Sequence, residues 1–350
     1  MGQSHQQNIL FLSALEKSEA KQSVVTATAP LLLDEYIRRV VGSSSSSSSS
    51  STFPTRHRSS PAILARGRTN HVLLYNGCFN PPHRGHLAHL VHAIRHAGPD
   101  LNIVGAVVLV ADDLYLKWKL AGQRGALNLK LKQRIRLWEG ELELIPEGER
   151  CWVLSETLWP GHADKLEQLF KKDGVDVEFV RLAGGDKVRV AAVEHGVWGC
   201  QRVITTDVSR PVDFYSSSVG DVTLPMPLNR HGEWKRVGER QGKDGSDEGV
   251  GSETLITEST VISSSSTTSI STPQTSRNIW TCDHGPSGSY YNVRFIASSR
   301  DERVDPDLSS TKIRGIIAAS KKLDVGQLEE KLQGIALCPG LLALYIKEAK

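Results

Sequence analysis

The ten residues from Gly77 to His86, GCFNPPHRGH, constrain the fold of this chain more than any other stretch. An apolar run, HVLLYN (71–76), comes directly before them, and apolar residues recur at helical spacing from Leu87 to Ile94. The turn therefore joins a buried strand to the start of a helix. Many α/β proteins bind phosphate groups at such a junction.

Strand-like and helix-like segments alternate along much of the remaining sequence. A continuous apolar run at 102–111 predicts a strand, residues 175–186 predict a strand that enters a glycine turn, and helical spacing predicts a helix over 127–142. Further strands are predicted at 151–156, 199–206 and 291–298, and further helices at 163–172 and 309–320. One or two helices are predicted within 9–41, where 14–24 fits the pattern best, and one or two within 324–348. This alternation predicts an α/β fold with a doubly wound parallel sheet.

Two polar tracts interrupt this pattern. Residues 43–51 are nine consecutive serines, and a Ser/Thr-rich tract covers 250–278. Such segments bury too little apolar surface to offset the entropy lost on ordering, so both are predicted to be disordered. We therefore divide the chain into an N-terminal helical segment with a serine-rich linker (1–69) and one domain (70–350), which a disordered insertion interrupts at about 216–288.

Charge and cysteine spacing argue against several classes of protein. The 42 basic and 39 acidic residues give a net charge of +3, too balanced to predict nucleic-acid binding. The five cysteines lie far apart, which disfavours a zinc site or a disulfide framework and suits a reducing compartment. The longest apolar stretch, 103–111, is half a membrane span. We expect a cytoplasmic or nuclear protein with neither nucleic acid nor membrane as a partner; the sequence sets no oligomeric state.

The chemistry of the 77–86 turn suits a polyphosphate. Gly77 allows backbone amides to approach a ligand closely, and His83 and His86 share one face at the start of a helix. Imidazole groups donate hydrogen bonds there, and the helix dipole favours anions. A tight turn with surface histidines is the plainer alternative. Metal ligation is a weaker one, because no nearby carboxylate or cysteine completes a ligand set. The further histidines of this helix are predicted to lie on the surface: His89, His92 and His96.

GCFNPPHRGH resembles the first signature of the nucleotidylyltransferase superfamily, whose members transfer a nucleoside monophosphate from a nucleoside triphosphate to an acceptor. The second signature, I-S-S-T-x-x-R, is nearly matched by LSSTKIR (308–314), with Leu308 in place of isoleucine. A serine-capped helix with a solvated arginine is the alternative for this stretch. The resemblance implies a Rossmann-like nucleotidyltransferase fold with His86, His83 and Arg314 as catalytic residues. The nucleotide-binding residues it implies are Gly77, Cys78, Phe79, Asn80, His83, His86, Gly184, Asp186, Ser310, Thr311 and Arg314.

Segments between the two signatures resemble the nicotinamide mononucleotide adenylyltransferases in their eukaryotic, fungal-type form. They are DDLYLKWK (112–119), CWVLSETLWP (151–160), LAGGDKV (182–188) and HGVW (195–198). The resemblance implies acceptor contacts at Lys117, Trp159 and Trp198. The alternatives are a solvated lysine and tryptophans of the core. The lysine pair of the family is split by Trp118 in this chain.

The reaction that the resemblance implies is adenylyl transfer from ATP to nicotinamide mononucleotide, giving NAD and pyrophosphate. The acceptor phosphate attacks in line without a covalent intermediate, so the protein positions the substrates and neutralises charge. Mg²⁺ arrives with ATP, and no metal ligand of the protein is predicted. Two alternatives stay open: a cytidylyltransferase acting on a phospho-alcohol, and a non-catalytic nucleotide-binding descendant that recruits partners through its Ser/Thr tracts.

Overall fold

The computed structural model describes residues 29–42, 61–123, 127–193, 198–216, 224–238, 278–284 and 292–348. The strands are β1 (Leu31–Leu32), β2 (Ile63–Leu64), β3 (Asn70–Gly77), β4 (Ile103–Val110), β5 (Cys151–Ser155), β6 (Val177–Leu182), β7 (Arg202–Thr206), β8 (Lys235–Arg236), β9 (Ile279–Asp283) and β10 (Asn292–Ile296). The α-helices are α1 (Leu33–Gly42), α2 (Arg84–His96), α3 (Asp113–Lys119), α4 (Leu131–Leu142), α5 (Trp159–Lys172), α6 (Ser310–Ala319), α7 (Val325–Leu332) and α8 (Pro339–Glu348). Short 3₁₀ turns cover Pro146–Arg150, Glu156–Leu158 and Arg300–Glu302.

One sheet, with the strand order β5–β4–β3–β6–β7–β10–β9–β8, organises these elements. The first six strands in this order, β5, β4, β3, β6, β7 and β10, pair in parallel, and β9 and β8 add an antiparallel edge after β10. The chain winds outward from β3 through β4 to β5 and then returns to place β6 on the other side of β3. The winding therefore reverses between β3 and β6, where the carboxyl ends of two neighbouring strands open a crevice.

Helices cover both faces of the sheet, which explains the continuous apolar runs of the central strands. Leu73 and Leu74 are both fully buried: Leu73 packs in the layer that contains α2 and α4, and Leu74 packs in the layer that contains α1 and α5. Helices α6, α7 and α8 form a further apolar cluster with the N-terminal part of α4 and the segment before it. The predicted α/β class, with a mainly parallel sheet and flanking helices, is confirmed.

Helix α1 shares a core with the sheet although it lies inside the predicted N-terminal segment. Its Tyr36 packs against Phe170 with ring centroids 5.0 Å apart, and the Tyr36 hydroxyl donates a hydrogen bond of 2.6 Å to Asp173. The predicted helix at 14–24 and the serine run at 43–51 lie outside the described residues. The predicted boundary between 1–69 and 70–350 stays a prediction.

The prediction of one disordered insertion over 216–288 is wrong for residues 224–238 and 278–284. Strand β9 pairs antiparallel with β10, and β8 pairs with β9. Trp280 and Cys282 of β9 are buried in a cluster with Trp234 and Phe295. The strand was missed because the short apolar segment NIWTCD (278–283) directly follows a long polar tract, which dominates the composition of the interval. The interval 239–277 lies outside the described residues.

No helix within the described ranges combines the length and the hydropathy needed to cross a bilayer. The predicted cytoplasmic or nuclear location stays a prediction.

Candidate active site

The two sequence motifs, which lie more than 200 residues apart, contact each other at the crevice. The Ser310 hydroxyl donates a hydrogen bond of 2.8 Å to the carbonyl oxygen of Pro81. Arg314 Nη1 donates a hydrogen bond of 2.9 Å to the carbonyl oxygen of Asn80. The N-terminus of α6 is thus fixed to the turn between β3 and α2, so the N-termini of two helices open onto one space.

That space is a cavity of about 370 Å³, which we name the first cavity. Its described lining includes every residue predicted to bind nucleotide: Gly77, Cys78, Phe79, Asn80, His83, His86, Gly184, Asp186, Ser310, Thr311 and Arg314. Lys119 and Arg210 add positive charge to the same wall. The structure therefore brings the predicted set together, with an excess of cationic side chains around it.

His86 is held in one protonation state by its own turn. Its Nδ1 accepts a hydrogen bond from the backbone N–H of His83 at 3.2 Å, so the proton of the neutral ring sits on Nε2. Burial lowers the pKa of His86 well below its ordinary value, and the neighbouring His83 and Arg210 lower it further. His86 is therefore a neutral donor at physiological pH.

His83 stacks on His86 with ring centroids 3.6 Å apart and an interplanar angle of 26°. Burial, with a contribution from Arg210, lowers the pKa of His83 to about 3. Neither of its ring nitrogens has a hydrogen-bond partner among the described residues, although the ring is buried. A buried polar group without a partner costs about 1–3 kcal/mol, which a ligand oxygen in the first cavity would recover.

The prediction that the other histidines of α2 lie on the surface is wrong for His89 and His92, which are both buried. His89 Nε2 donates to the carbonyl oxygen of Ala183 at 3.1 Å, and Nδ1 lies 2.9 Å from the Thr206 hydroxyl. Burial lowers the pKa of His89 to about 4. His89 therefore ties α2 to the carboxyl ends of β6 and β7 beneath the first cavity.

Gly77 and Phe79 shape the floor of the first cavity. A Cβ atom at Gly77 would lie 2.9 Å from the Phe79 ring, closer than packed atoms approach. That ring is buried with its centroid 5.2 Å from those of Tyr75 and Trp138. Glycine at position 77 is thus required by the aromatic packing directly under the turn.

Arg134 of α4 joins the turn to the end of β4. Its side chain has no solvent exposure and donates to the carbonyl oxygens of Cys78, Ala111 and Leu129 at 2.8, 2.7 and 3.0 Å. It also forms an ion pair of 2.7 Å with Asp113 at the start of α3. Arg134 therefore fixes the turn relative to α3, although it does not line the first cavity.

A second cavity of about 400 Å³ adjoins the first and shares six lining residues with it: Asn76, Gly77, Cys78, Lys119, Gly184 and Lys187. Its remaining described lining includes Asp112, Tyr115, Glu156, Thr157 and Arg181. Burial raises the pKa of Glu156, and the nearby Asp112 raises it further. The two cavities thus form one cleft, with cations in the first part and carboxylates, arginine and a tyrosine in the second.

Lys117, the lysine predicted to contact the acceptor, does not line the cleft. Lys117 lines a separate surface hollow beside Trp118 and neither of the two cavities, whereas Lys119 lines both. Two positions along a helix turn a side chain through about 200°, so the two lysines lie on opposite sides of α3.

Neither predicted acceptor tryptophan lines the cleft as the structure describes it. Trp159 has no solvent exposure and packs edge-on against Phe179, with ring centroids 5.3 Å apart. Trp198 is half-buried against the same apolar layer, after residues 194–197 that lie outside the described ranges. The acceptor roles of both tryptophans stay predictions; Glu156 and Thr157, just before Trp159, are the side chains of that segment at the second cavity.

Sequence reasoning missed Lys119, Tyr115 and Arg210 as cleft residues. Lys119 had a usable signal, because helical spacing places it on the face of the buried Leu116. Arg210 lies in an irregular segment after β7, where periodicity gives no signal; its one signal was the basic residue that the resembled family often carries after this strand. Asp207, three residues earlier, accepts hydrogen bonds from the Ser298 backbone N–H and hydroxyl, both at 2.7 Å, and so holds the loop after β10.

No protein-family model matches the chain, and no curated protein matches it in sequence. Among solved structures, it is similar to Plasmodium falciparum nicotinic acid mononucleotide adenylyltransferase complexed with APC, with a TM-score of 0.26 and 10% identity over 39% of this chain and 63% of that one. The same protein complexed with NaAD gives a TM-score of 0.25 and 10% identity over 39% of this chain and 64% of that one. The chain thus spans less than two thirds of the length of either structure. Because the similarity is this low, the function has to be argued from the residues of the chain itself.

Proposed function

We propose that this chain is a nucleotidyltransferase that transfers the adenylyl group of ATP to nicotinamide mononucleotide. The observation that supports this most is the contact between the two motifs around the first cavity, made by Ser310 with Pro81 and by Arg314 with Asn80. In the reaction, an oxygen of the acceptor phosphate bonds to the α-phosphorus of ATP. The bond from that phosphorus to the bridging oxygen breaks, and pyrophosphate leaves with both electrons of that bond.

The first cavity would hold the triphosphate. Neutral His86 offers Nε2–H to a phosphoryl oxygen, and His83 offers ring nitrogens that have no other partner among the described residues. Arg314 and the N-terminus of α6 would hold the leaving β- and γ-phosphates, and Lys119 would neutralise charge on the acceptor side. Such preorganised donors stabilise the charge of an in-line displacement without a covalent step.

The second cavity would hold the acceptor. Tyr115 offers an aromatic face, and the carboxylates of Asp112 and Glu156 favour a cationic pyridinium ring over a ring that carries an additional carboxylate. Lys119, at the junction of the cavities, would meet the acceptor phosphate. Arg181 and Lys187 line the same cavity, so its charges are of both signs, and the amide form is proposed for a ring that Asp112 and Glu156 would face.

Mg²⁺ would enter with ATP. The described lining of the first cavity contains a single carboxylate, Asp186, which suits an ion held mostly by phosphate oxygens and water. When bound, Mg²⁺ supplies charge neutralisation on the phosphates; the residues of the chain bind and orient the two substrates.

The test is a coupled assay on the purified full chain with Mg²⁺, in which the NAD formed from ATP and nicotinamide mononucleotide is reduced by a dehydrogenase. We expect NAD and pyrophosphate in equal amounts, and a loss of about 10²-fold or more in turnover for His86→Ala, typical of removing a preorganised donor. Parallel reactions contain the acid form of the mononucleotide, or CTP with a phospho-alcohol.

Three results would overturn the proposal or part of it. Pyrophosphate release only with CTP would identify a cytidylyltransferase. ATP binding without product from any acceptor would identify a non-catalytic descendant. A preference for the acid form of the mononucleotide would contradict the role given to Asp112 and Glu156.

A further inference from the structure

Three side chains with metal-binding chemistry lie together at the end of α2 that is remote from the cleft. His92 and His96 are one helical turn apart, and Glu302 ends the 3₁₀ turn that follows β10. One ligand atom from each residue lies within 4.8 Å of the other two. Ten residues of helix, about 15 Å, separate His96 from His86, so this cluster is distinct from the first cavity.

The distances in the cluster approach those of a coordination sphere. Glu302 Oε1 lies 3.9 Å from His92 Nδ1 and 3.5 Å from His96 Nε2. A tetrahedral zinc ion with bonds of about 2.0–2.1 Å holds its ligand atoms about 3.4 Å apart. Each of these two distances is within about 0.5 Å of that spacing, and the ligand atoms of the two histidines, which lie at most 4.8 Å apart, would approach by up to about 1.4 Å through side-chain rotation.

The carboxylate of Glu302 is already oriented for this role. Its Oε2 accepts hydrogen bonds from the backbone N–H and the hydroxyl of Ser299, both at 2.9 Å, while Oε1 faces the two histidines. The side chains of His92, His96 and Glu302 are 4%, 20% and 25% exposed, so the cluster is mostly enclosed but reachable from solvent. Hydrogen bonds that orient a ligand from outside are a regular feature of protein metal sites.

We propose that His92, His96 and Glu302 bind one zinc ion. Two imidazoles and one carboxylate are a ligand set that zinc accepts, with water in the fourth position, whereas Mg²⁺ and Ca²⁺ prefer oxygen alone. The ion joins the last turn of α2 to the segment between β10 and α6. The next residue, Arg303, already holds that segment through Asp207 at 2.6 Å. The zinc would therefore cross-link α2 to this segment at the end of α2 that is remote from the cleft.

The experiment measures zinc binding by the full chain after removal of metals with a chelator, with zinc alone as the probe. We expect one zinc ion per chain in calorimetry and a rise in the melting temperature on its addition. Glu302→Gln and His96→Asn should lose this binding, while Asp301→Asn, which removes the neighbouring exposed carboxylate, should keep it. Ser299→Ala should weaken it by about 10- to 100-fold, the usual effect of removing a hydrogen bond that orients a metal ligand.

X-ray absorption at the zinc edge separates this site from chance binding to the free cysteines, because the proposed shell holds nitrogen and oxygen without sulfur. Circular dichroism of the metal-free variants shows whether each one folds. A sulfur shell, no stoichiometric binding, or equal binding by wild type and a folded Glu302→Gln would overturn the proposal; in the last case the cluster is a histidine–carboxylate contact alone. None of these readouts uses the transfer reaction, so a result that contradicts the zinc site does not contradict the proposed function, and the reverse also holds.

Discussion

Replacing Arg134 by methionine should destabilise the fold although it keeps the length and most of the volume of the side chain. The guanidinium group donates to the carbonyl oxygens of Leu129 and Ala111 in fully buried bonds and to that of Cys78 in a partly buried one. Methionine cannot donate, so at least two buried carbonyl groups lose this donor. At about 1–3 kcal/mol for each, the loss is about 2–6 kcal/mol. Asp113, half exposed, returns to water at little cost.

The free energy of unfolding in urea measures this effect, and Arg136→Met is the matched control on the same helix. Arg136 is 59% exposed and forms an ion pair of 3.4 Å with Glu139, so its replacement should change the free energy of unfolding by less than about 0.5 kcal/mol. Arg134→Lys should recover part of the loss, since it keeps a donor and the charge but not the planar fork. Equal stability of Arg134→Met and Arg136→Met would refute the reasoning.

Lys119→Ala should lower kcat/KM about 10- to 100-fold by removing a charged donor from the cleft, whereas Lys117→Ala should leave it within about twofold. Equal effects of the two variants in the assay of NAD formation would contradict the placement of Lys119, and not Lys117, in the cleft. Gly77→Ala should cost about 1–3 kcal/mol in thermal unfolding because its Cβ would lie 2.9 Å from a buried ring, whereas Gly315→Ala, whose Cβ meets nothing within 4 Å, should stabilise α6 by about 0.5–1 kcal/mol. The pKa of His89 is about 4 when folded and 6.5 ordinarily, so the unfolded chain binds the proton first as the pH falls. The contribution of His89 to stability should therefore be level above about pH 7 and fall by up to about 3 kcal/mol between pH 6.5 and 4, beside contributions of the same sign from His83 and His86, whose pKa values are also lowered. Urea titrations should show a shallower drop for His89→Gln.

The position of the cleft could be predicted from the sequence because short-range rules determine it. A glycine turn between an apolar strand and a helix can be recognised locally, and the reversal of winding in a parallel sheet places ligands at the carboxyl ends of neighbouring strands. The contacts of Ser310 and Arg314 with the turn agree with the expectation that both motifs serve one phosphate site. The cluster of His92, His96 and Glu302 could not be predicted in this way. Its third ligand lies about 200 residues after the first two, and only the folded chain brings it to α2.

The burial of Trp159 in the core could have been predicted from the sequence. Trp159 is in helical phase with Ala163, Leu166 and Phe170, all of which are buried on the face of α5 that packs against the sheet. A side chain in phase with a core stripe points into the core, whatever the likeness of its surroundings to a binding segment. Helical phase also separates the lysines of α3: Lys119 is three positions after Leu116, which lines the first cavity, whereas Lys117 lies on the opposite side of the helix. Helical phase, checked for each residue that a motif resemblance singles out, therefore distinguishes the side chains that face this cleft from those that pack in the core.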